Sequence, residues 1–129
     1  MKIKHLITIL LSMLLLTGCT TKQTENKSYR QISMEEAVNL MEAESGYIIL
    51  DVRRPDEFAE GHIPNAVNIP NEIIGTNEIT ELPDKAQLIL VYCRSGRRSK
   101  EASEKLVALG YTNIVEFGGI IDWTGETVK

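Results

Sequence analysis

One continuous apolar run in the middle of the chain constrains the fold more than any other sequence feature. Residues 88–92 read Leu-Ile-Leu-Val-Tyr, and Cys93, a short glycine-containing loop and a helix-like segment follow directly. An apolar run without alternation is typical of a strand that is buried on both faces, as in a parallel sheet. The sequence therefore predicts a central strand that ends at a cysteine and leads straight into a helix.

The loop after this strand has the composition to hold a thiolate and an anion together. Arg94, Arg97 and Arg98 follow Cys93 closely along the chain. Cysteine reacts as the thiolate, and successive loop N–H groups and a helix N-terminus bind anions. Cys93 is therefore the candidate nucleophile. The alternative is a small buried core cysteine, with the arginines on a solvated helix face.

Helix-like and strand-like segments alternate along residues 29–129, which have the length of one small domain. Helices are predicted after the capping box at Ser33 and at residues 55–60, 71–80 and 99–109. Strands are predicted at residues 47–51, 66–69, 88–92 and 113–117. This alternation favours an α/β fold whose mainly parallel sheet is covered by helices on both faces. Sites in such sheets lie at the carboxyl ends of strands, where Asp51 and Cys93 both stand.

The first residues are interpreted as an export signal. Lys2 and Lys4 precede an apolar segment at residues 6–16, which is short for a membrane-spanning helix of about 20 residues. Residues 16–19, Leu-Thr-Gly-Cys, resemble the lipobox of bacterial lipoproteins. The resemblance implies a signal peptide over residues 1–18 and a lipid on Cys19 that anchors the protein to the extracytoplasmic side of a membrane in the cell envelope. The alternative is an ordinary secreted protein with a spare Cys19.

Residues 20–28 contain no apolar side chain and are interpreted as a flexible tether between Cys19 and the domain. The chain has two cysteines, so a lipidated Cys19 leaves Cys93 as the single free thiol. A lone thiol in an oxidising compartment indicates that the thiol is used. The net charge of −4 disfavours a nucleic acid partner. No His or Cys pair has metal-ligand spacing, so no metal site is predicted.

Three stretches of the domain resemble the rhodanese-like single-domain sulfurtransferases. The first is Leu-Asp-Val-Arg with Pro-Asp-Glu-Phe at residues 50–58, and the second is Glu-Gly-His-Ile-Pro-Asn-Ala-Val-Asn-Ile-Pro at residues 60–70. The third is the loop at residues 93–99. The tail at residues 118–123 also fits, so the resemblance spans nearly all of residues 29–123 in the family's order.

The resemblance implies a doubly wound domain with a mainly parallel, roughly five-stranded sheet. It also implies that Cys93 takes a sulfane sulfur from thiosulfate, or from a related persulfide or polysulfide, and passes it to a thiol or cyanide. The loop N–H groups would stabilise the persulfide, and no metal or organic cofactor is implied. Arg94 or Arg97 would dock the anionic donor, and Arg98 would close the loop onto a carboxylate. The implied substrate-binding residues are Arg94, Ser95, Gly96, Arg97, Arg98 and Ser99.

Other activities compete with sulfur transfer from a small donor. The protein could carry persulfide for, or exchange thiols with, another exported protein that acts as sulfur donor or acceptor. A rhodanese-fold phosphatase or arsenate reductase is less favoured, because those loops read Cys-x5-Arg and only four residues separate Cys93 from Arg98 here. An inactive binding module is disfavoured by the intact Cys93.

Three further residues have both a catalytic and a structural interpretation. Asp51 and Arg53 could form an active-site carboxylate and cation, but a structural ion pair after the strand is favoured. His62 could act as a general base. Its setting in a Gly-His-Ile-Pro turn favours a hydrogen bond to the backbone that fixes the turn.

Overall fold

The apolar run at residues 88–92 forms the centre of a parallel sheet. The computed structural model describes residues 28–75 and 77–129. Its strands are β1 (Arg30–Gln31), β2 (Ile48–Asp51), β3 (Val67–Asn68), β4 (Ile89–Cys93) and β5 (Ile114–Gly119). All five are parallel and lie in the order β1-β5-β4-β2-β3. The helices are α1 (Met34–Ala43), α2 (Pro55–Glu60) and α3 (Arg97–Ala108), with short 3₁₀ turns at Asn71–Ile73 and Ile120–Asp122.

Successive side chains of β4 point to opposite faces of the sheet and enter two separate cores. Ile89, Val91 and Cys93 belong to the core that contains Ala102 and Leu106 of α3. Leu90 and Tyr92 belong to the second core, against which α1 packs through Ala37. Because strand side chains alternate with period two, a run that is apolar at every position has to be covered on both faces. The predicted α/β class and mainly parallel sheet are therefore confirmed.

The helix boundaries follow from local chemistry. Ser33 accepts from the backbone N–H of Glu36 while the Glu36 side chain accepts from the Ser33 N–H, so the predicted capping box begins α1. Pro55 occupies the first turn of α2, where its missing N–H costs nothing. Gly96 precedes α3 in a left-handed conformation, and the helix therefore begins at Arg97 rather than at Ser99 as predicted.

The helix predicted at residues 71–80 is wrong. One 3₁₀ turn at Asn71–Ile73 is followed by extended backbone at Ile74, whose side chain is 2 % exposed and packs in the core beside α3. Seating Ile74 there ends the turn, and Gly75 adds no helix-forming preference. Strand β1 was not predicted, because its two residues are exposed and polar.

The interpretations of residues 1–19 as signal and lipid site, and of the tether through residue 27, fall outside the described residues. Within residues 28–75 and 77–129, no helix is both long and apolar enough to cross a membrane.

Candidate active site

Cys93 is the last residue of β4, and three loop residues separate it from α3. Gly96 has a φ of 114°, a conformation that favours glycine. Its backbone N–H donates to Cys93 Sγ over 3.0 Å. Cys93 itself is 1 % exposed, so the loop encloses the sulfur and aims a donor at it. Such a donor stabilises negative charge on sulfur.

The end of β5 and the turn after it contact this loop through backbone atoms. Gly119 lies so close to the loop that a Cβ there would collide with Arg94 O and Ser95 N. The backbone N–H of Ile121 also donates to Arg94 O over 3.2 Å. The register between β4 and β5 shifts between Val91 and Cys93, which marks a bulge beside the sulfur. The loop therefore packs against the backbone of Gly119 and Ile121, which is less flexible than a side chain would be.

A buried polar cluster lies behind the sulfur. Ser99 is fully buried and Glu116 is 3 % exposed. Ser99 Oγ lies 2.6 Å from Glu116 Oε1, 2.9 Å from Gly96 O and 3.4 Å from Cys93 Sγ. Glu116 Oε1 also accepts from the backbone N–H of Gly118 over 2.8 Å. The Ser99 side chain therefore lies in the interior, against the sulfur and not among the side chains that line the cavity in front of the loop.

That cavity has a volume of about 630 Å³ and a strongly charged lining. Its cations are Arg53, Arg54, Arg94, Arg97 and Arg98, and its acidic residues are Asp56, Glu57, Glu60 and Glu72. Ile120 and Ile121 supply the apolar part of the lining. Arg97 Nη1 is paired with Glu101 Oε1 over 2.9 Å, whereas the described residues offer Arg94 no carboxylate within salt-bridge distance. Arg94 is thus the loop arginine most available to an anionic ligand.

Arg98 joins the loop to α2. Its Nη1 lies 2.6 Å from Glu57 Oε1 and its Nη2 lies 3.0 Å from Glu57 Oε2. Both side chains are largely buried, with 16 % and 15 % exposed. The hydrogen bonds from Arg98 hold the pKa of the Glu57 carboxyl below its usual value. The guanidinium therefore closes the loop onto a carboxylate, and two of its N–H groups are already engaged.

Asp51 and Arg53 form a buried ion pair. Arg53 Nη2 lies 2.7 Å from Asp51 Oδ2, and the backbone N–H of Arg53 donates to Asp51 Oδ1 over 2.9 Å. Arg53 Nη2 also donates to Gly61 O over 2.7 Å. The pair therefore ties the end of β2 to the turn after α2, which is a structural role. Arg53 in addition reaches the cavity lining.

His62 is held by its own turn. Its Nδ1 lies 2.9 Å from Phe58 O, and its ring stacks on Phe58 with centroids 3.7 Å apart. Its backbone pairs with Val128 in an isolated antiparallel bridge. His62 is not among the described residues that line the cavity. These contacts are those of a residue that fixes a turn.

Tyr92, next to Cys93 in the chain, is fully buried. This burial raises the pKa of its phenol, so the phenol stays neutral. Its oxygen accepts from the backbone N–H of Ile63.

Across residues 28–75 and 77–129, no three His, Cys, Asp or Glu side chains are grouped so that they could hold a metal ion.

Two residues of the site were not identified from the sequence. The sequence predicts Glu57 only as part of a short helix, and nothing near it in the chain indicates a partner 41 positions away. Glu116 carried a usable signal, because it interrupts the apolar strand Ile-Val-Glu-Phe at residues 114–117. A carboxylate at a buried strand position needs hydrogen-bond donors, and here Ser99 and Gly118 supply them.

Comparison with known proteins gives a consistent result. The rhodanese-like domain family matches residues 33–126. The thiosulfate sulfurtransferase PspE of Escherichia coli is 38 % identical over 80 residues, which cover 62 % of this chain and 77 % of that protein. YrkF of Bacillus subtilis, whose name assigns it to the sulfur carriers, is 33 % identical over 103 residues, covering 78 % of this chain and 54 % of that one. A solved E. coli structure described as a rhodanese with anions is similar with a TM-score of 0.59 and 36 % identity, covering 64 % of this chain and 98 % of that one.

Proposed function

The chain belongs to the rhodanese-like domain family, and from that membership we propose that this sulfurtransferase takes a sulfane sulfur from thiosulfate and holds it on Cys93 as a persulfide. The Cys93 thiolate attacks the outer sulfur of thiosulfate. A bond forms between Sγ and that sulfur, the sulfur–sulfur bond of the donor breaks, and its electron pair leaves with sulfite. A thiol or cyanide then attacks the outer sulfur of the persulfide, and Cys93 leaves as the thiolate.

One observation carries this proposal. The N–H of Gly96 points at Cys93 Sγ over 3.0 Å, inside a loop whose arginines line a cavity of about 630 Å³. A donor of this kind favours an anionic sulfur, and unpaired positive charge at the cavity favours an anionic donor molecule. The short loop also favours a sulfur atom over a phosphate, because Arg98 follows Cys93 after four residues and is held by Glu57.

Intact mass spectrometry tests the proposal directly. The protein is treated with thiosulfate, weighed, treated with cyanide and weighed again. We expect a gain of about 32 Da, one sulfur atom, and then its loss with formation of thiocyanate. The matched control is Cys93→Ser, which replaces one atom and should show neither change. Sulfur that still binds to Cys93→Ser would overturn the assignment of the nucleophile.

A persulfide carrier is the second candidate, favoured by an exposed apolar side chain at the cavity. Ile121 is 62 % exposed and lies in the cavity lining, where a protein donor or acceptor would cover it. The similarity to YrkF supports the same candidate. A protein that gives no adduct with thiosulfate, while its Cys93 still reacts with iodoacetamide, would favour a carrier fed by a protein donor or a thiol-redox partner. Phosphate release that equals or exceeds sulfur transfer would instead favour the phosphatase alternative.

We also propose that a lipid on Cys19 anchors the protein to the outer side of a membrane. Residues 1–19 support this proposal. Two lysines, an apolar segment and the sequence Leu-Thr-Gly-Cys follow one another there in the order of a lipoprotein signal. Fractionation of cells that express the full chain or Cys19→Ala tests it. The wild type should pellet with membranes and the variant should not, and a variant that still pellets would contradict the anchor.

A further inference from the structure

A polar network joins the 3₁₀ turn at Asn71–Ile73 to α3 and ends at one of the cavity arginines. We propose that Asn71 is a positioning residue that selects the ion-pair partner of Glu101 and thereby withholds Arg97 from anions in the cavity. Asn71 is not among the described residues that line the cavity, so it acts on an anion there only through its neighbours. The effect on thiosulfate rests on the proposed function.

The Asn71 side chain is buried, with 5 % exposed, and hydrogen bonds fix both ends of its amide. Its Nδ2 donates to Glu101 Oε2 over 2.9 Å. Lys105 Nζ donates to its Oδ1 over 3.0 Å and to its backbone carbonyl over 2.9 Å. The backbone N–H of Asn71 donates to Val52 O, directly after β2. Because a lysine can only donate and a carboxylate can only accept, the amide has one orientation that satisfies both neighbours.

Glu101 has a cation four residues away in each direction along α3, Arg97 before it and Lys105 after it. Residues four apart are neighbours on a helix surface, and a glutamate pairs better with a lysine that follows it than with one that precedes it. The structure shows the reverse choice. Glu101 Oε1 lies 2.9 Å from Arg97 Nη1, while Lys105 takes part in no ion pair of residues 28–75 and 77–129. Asn71 accounts for this choice, because it engages Lys105 itself.

The hydrogen bond from Asn71 also orients the Glu101 carboxylate. With Oε2 bound to Asn71, Oε1 is the oxygen that Arg97 contacts. The hydrogen bond from Asn71, and after it the one from Arg97, hold the pKa of Glu101 below its usual value, so the carboxylate is charged at neutral pH. The side chains of Arg97 and Glu101 are 74 % and 45 % exposed, and an exposed pair normally loses side-chain entropy when it forms. Asn71 reduces that loss by ordering the carboxylate beforehand.

The network lowers the positive charge that the cavity offers to an anion. Arg97 lines the cavity, and an anion that binds its guanidinium has to compete with Glu101. Arg94, which has no ion pair within the described residues, is then the arginine that the anion meets without competition. Asn71 thereby affects how tightly the donor binds and leaves the reaction at Cys93 unchanged.

Asn71→Ala tests the selection of the partner. The variant releases Lys105 and Glu101, which can then pair with each other and free Arg97. We expect KM for thiosulfate to fall about threefold, the size of effect that an exposed ion pair supports, while kcat stays within about 1.5-fold of the wild type. A residue that only supports the fold would raise KM or lower kcat instead. Adding Lys105→Met to Asn71→Ala removes the competing cation and should return KM towards the wild-type value.

Glu101→Gln tests the release of Arg97 directly. It keeps the shape of the side chain and its contact with Asn71 but removes the charge that holds the guanidinium. KM for thiosulfate should fall by a similar factor, and most of this fall should be lost in an Arg97→Ala background. Glu104→Gln, at an exposed position of the same helix, controls for net charge and should leave KM unchanged. If Asn71→Ala does not fold, an unchanged or higher KM in Glu101→Gln still overturns the proposal.

Sulfate, an inert dianion, gives a readout that needs no sulfur transfer. The full chain is treated with iodoacetamide at increasing sulfate and constant ionic strength, and the tryptic peptide of residues 86–94 reports Cys93 separately from Cys19. The sulfate concentration that halves the alkylation rate should fall about threefold in Asn71→Ala and in Glu101→Gln.

The two readouts separate the two proposals. Thiosulfate that fails to load Cys93, while sulfate protects it as expected, would overturn the proposed donor alone. Sulfate protection that is absent or the same in all three proteins, in a protein that thiosulfate loads normally, would overturn the role of Asn71. The same result would follow if the released Arg97 moved to Glu72 of the cavity lining.

Discussion

Arg98 and Glu57 form a two-point ion pair across 41 positions of sequence, with Nη1–Oε1 and Nη2–Oε2 distances of 2.6 and 3.0 Å. The pair fastens the first turn of α3 to α2, and so it fixes one side of the loop that encloses Cys93. Two parallel hydrogen bonds set the plane of the guanidinium as well as its position. The arginine thereby acts mainly on loop geometry.

Glu57→Gln should destabilise the protein and loosen the loop. We expect the free energy of unfolding at pH 7 to fall by about 1–2 kcal/mol, because Arg98 loses a charged acceptor while largely buried. Since Arg98 lowers the pKa of Glu57, the stabilisation is complete above the unfolded-state pKa of about 4.3 and is lost as pH falls through the lower folded-state value. Urea unfolding at pH 7 and pH 3 should therefore show the two proteins converging in acid. Glu60→Gln, at an exposed position of the same helix, is the control, and a gap that widens in acid would contradict the assignment.

Gly119→Ala should disrupt the active-site loop. A Cβ at Gly119 would collide with backbone atoms of Arg94 and Ser95, which cannot rotate away as a side chain can. We expect a loss of about 1–3 kcal/mol in unfolding free energy together with slower sulfur transfer. Gly75→Ala is the matched control, since a Cβ there has nothing within 4 Å. Equal behaviour of the two variants would show that the loop does not rest on Gly119.

Arg94→Ala should weaken the use of thiosulfate more than Arg97→Ala does. Arg94 has no ion pair within residues 28–75 and 77–129, whereas Arg97 already has Glu101 as a partner. We expect kcat/KM for thiosulfate to fall about tenfold in Arg94→Ala and less in Arg97→Ala. Steady-state kinetics at low and high salt would measure both effects, with Arg30→Ala in β1 as control. The reverse order would transfer the docking role to Arg97.

His62→Ala should lower stability and leave sulfur transfer intact. The variant loses the stack on Phe58 and the contact with Phe58 O, which together are worth about 1–2 kcal/mol. Thermal unfolding should show the loss, while kcat/KM stays within about twofold of the wild type. Phe58→Leu, which removes the other ring of the stack, should behave similarly. A large fall in kcat/KM with little change in stability would restore His62 as a general base.

Sequence patterns were reliable where one interaction of short range dominated. The Ser33 capping box and Pro55 placed the starts of α1 and α2, and the all-apolar run identified β4 as buried on both faces. The sequence patterns failed where packing between distant parts of the chain determines the local structure. Ile74 enters the core and ends a turn that would otherwise resemble the start of a helix, and the partner of Arg98 depends on how α2 is folded against the loop. The buried Glu116 was visible as an anomaly in its strand, but only the fold shows that Ser99 lies against it.

The sheet is bounded on both sides by very short strands. β1 and β3 have two residues each, and they flank the longer β5, β4 and β2. Unpaired strand edges template association between molecules, and short edges limit how much backbone a neighbour can bind. Copies of such a domain can therefore lie close together at high concentration while offering one another little backbone for edge-to-edge pairing.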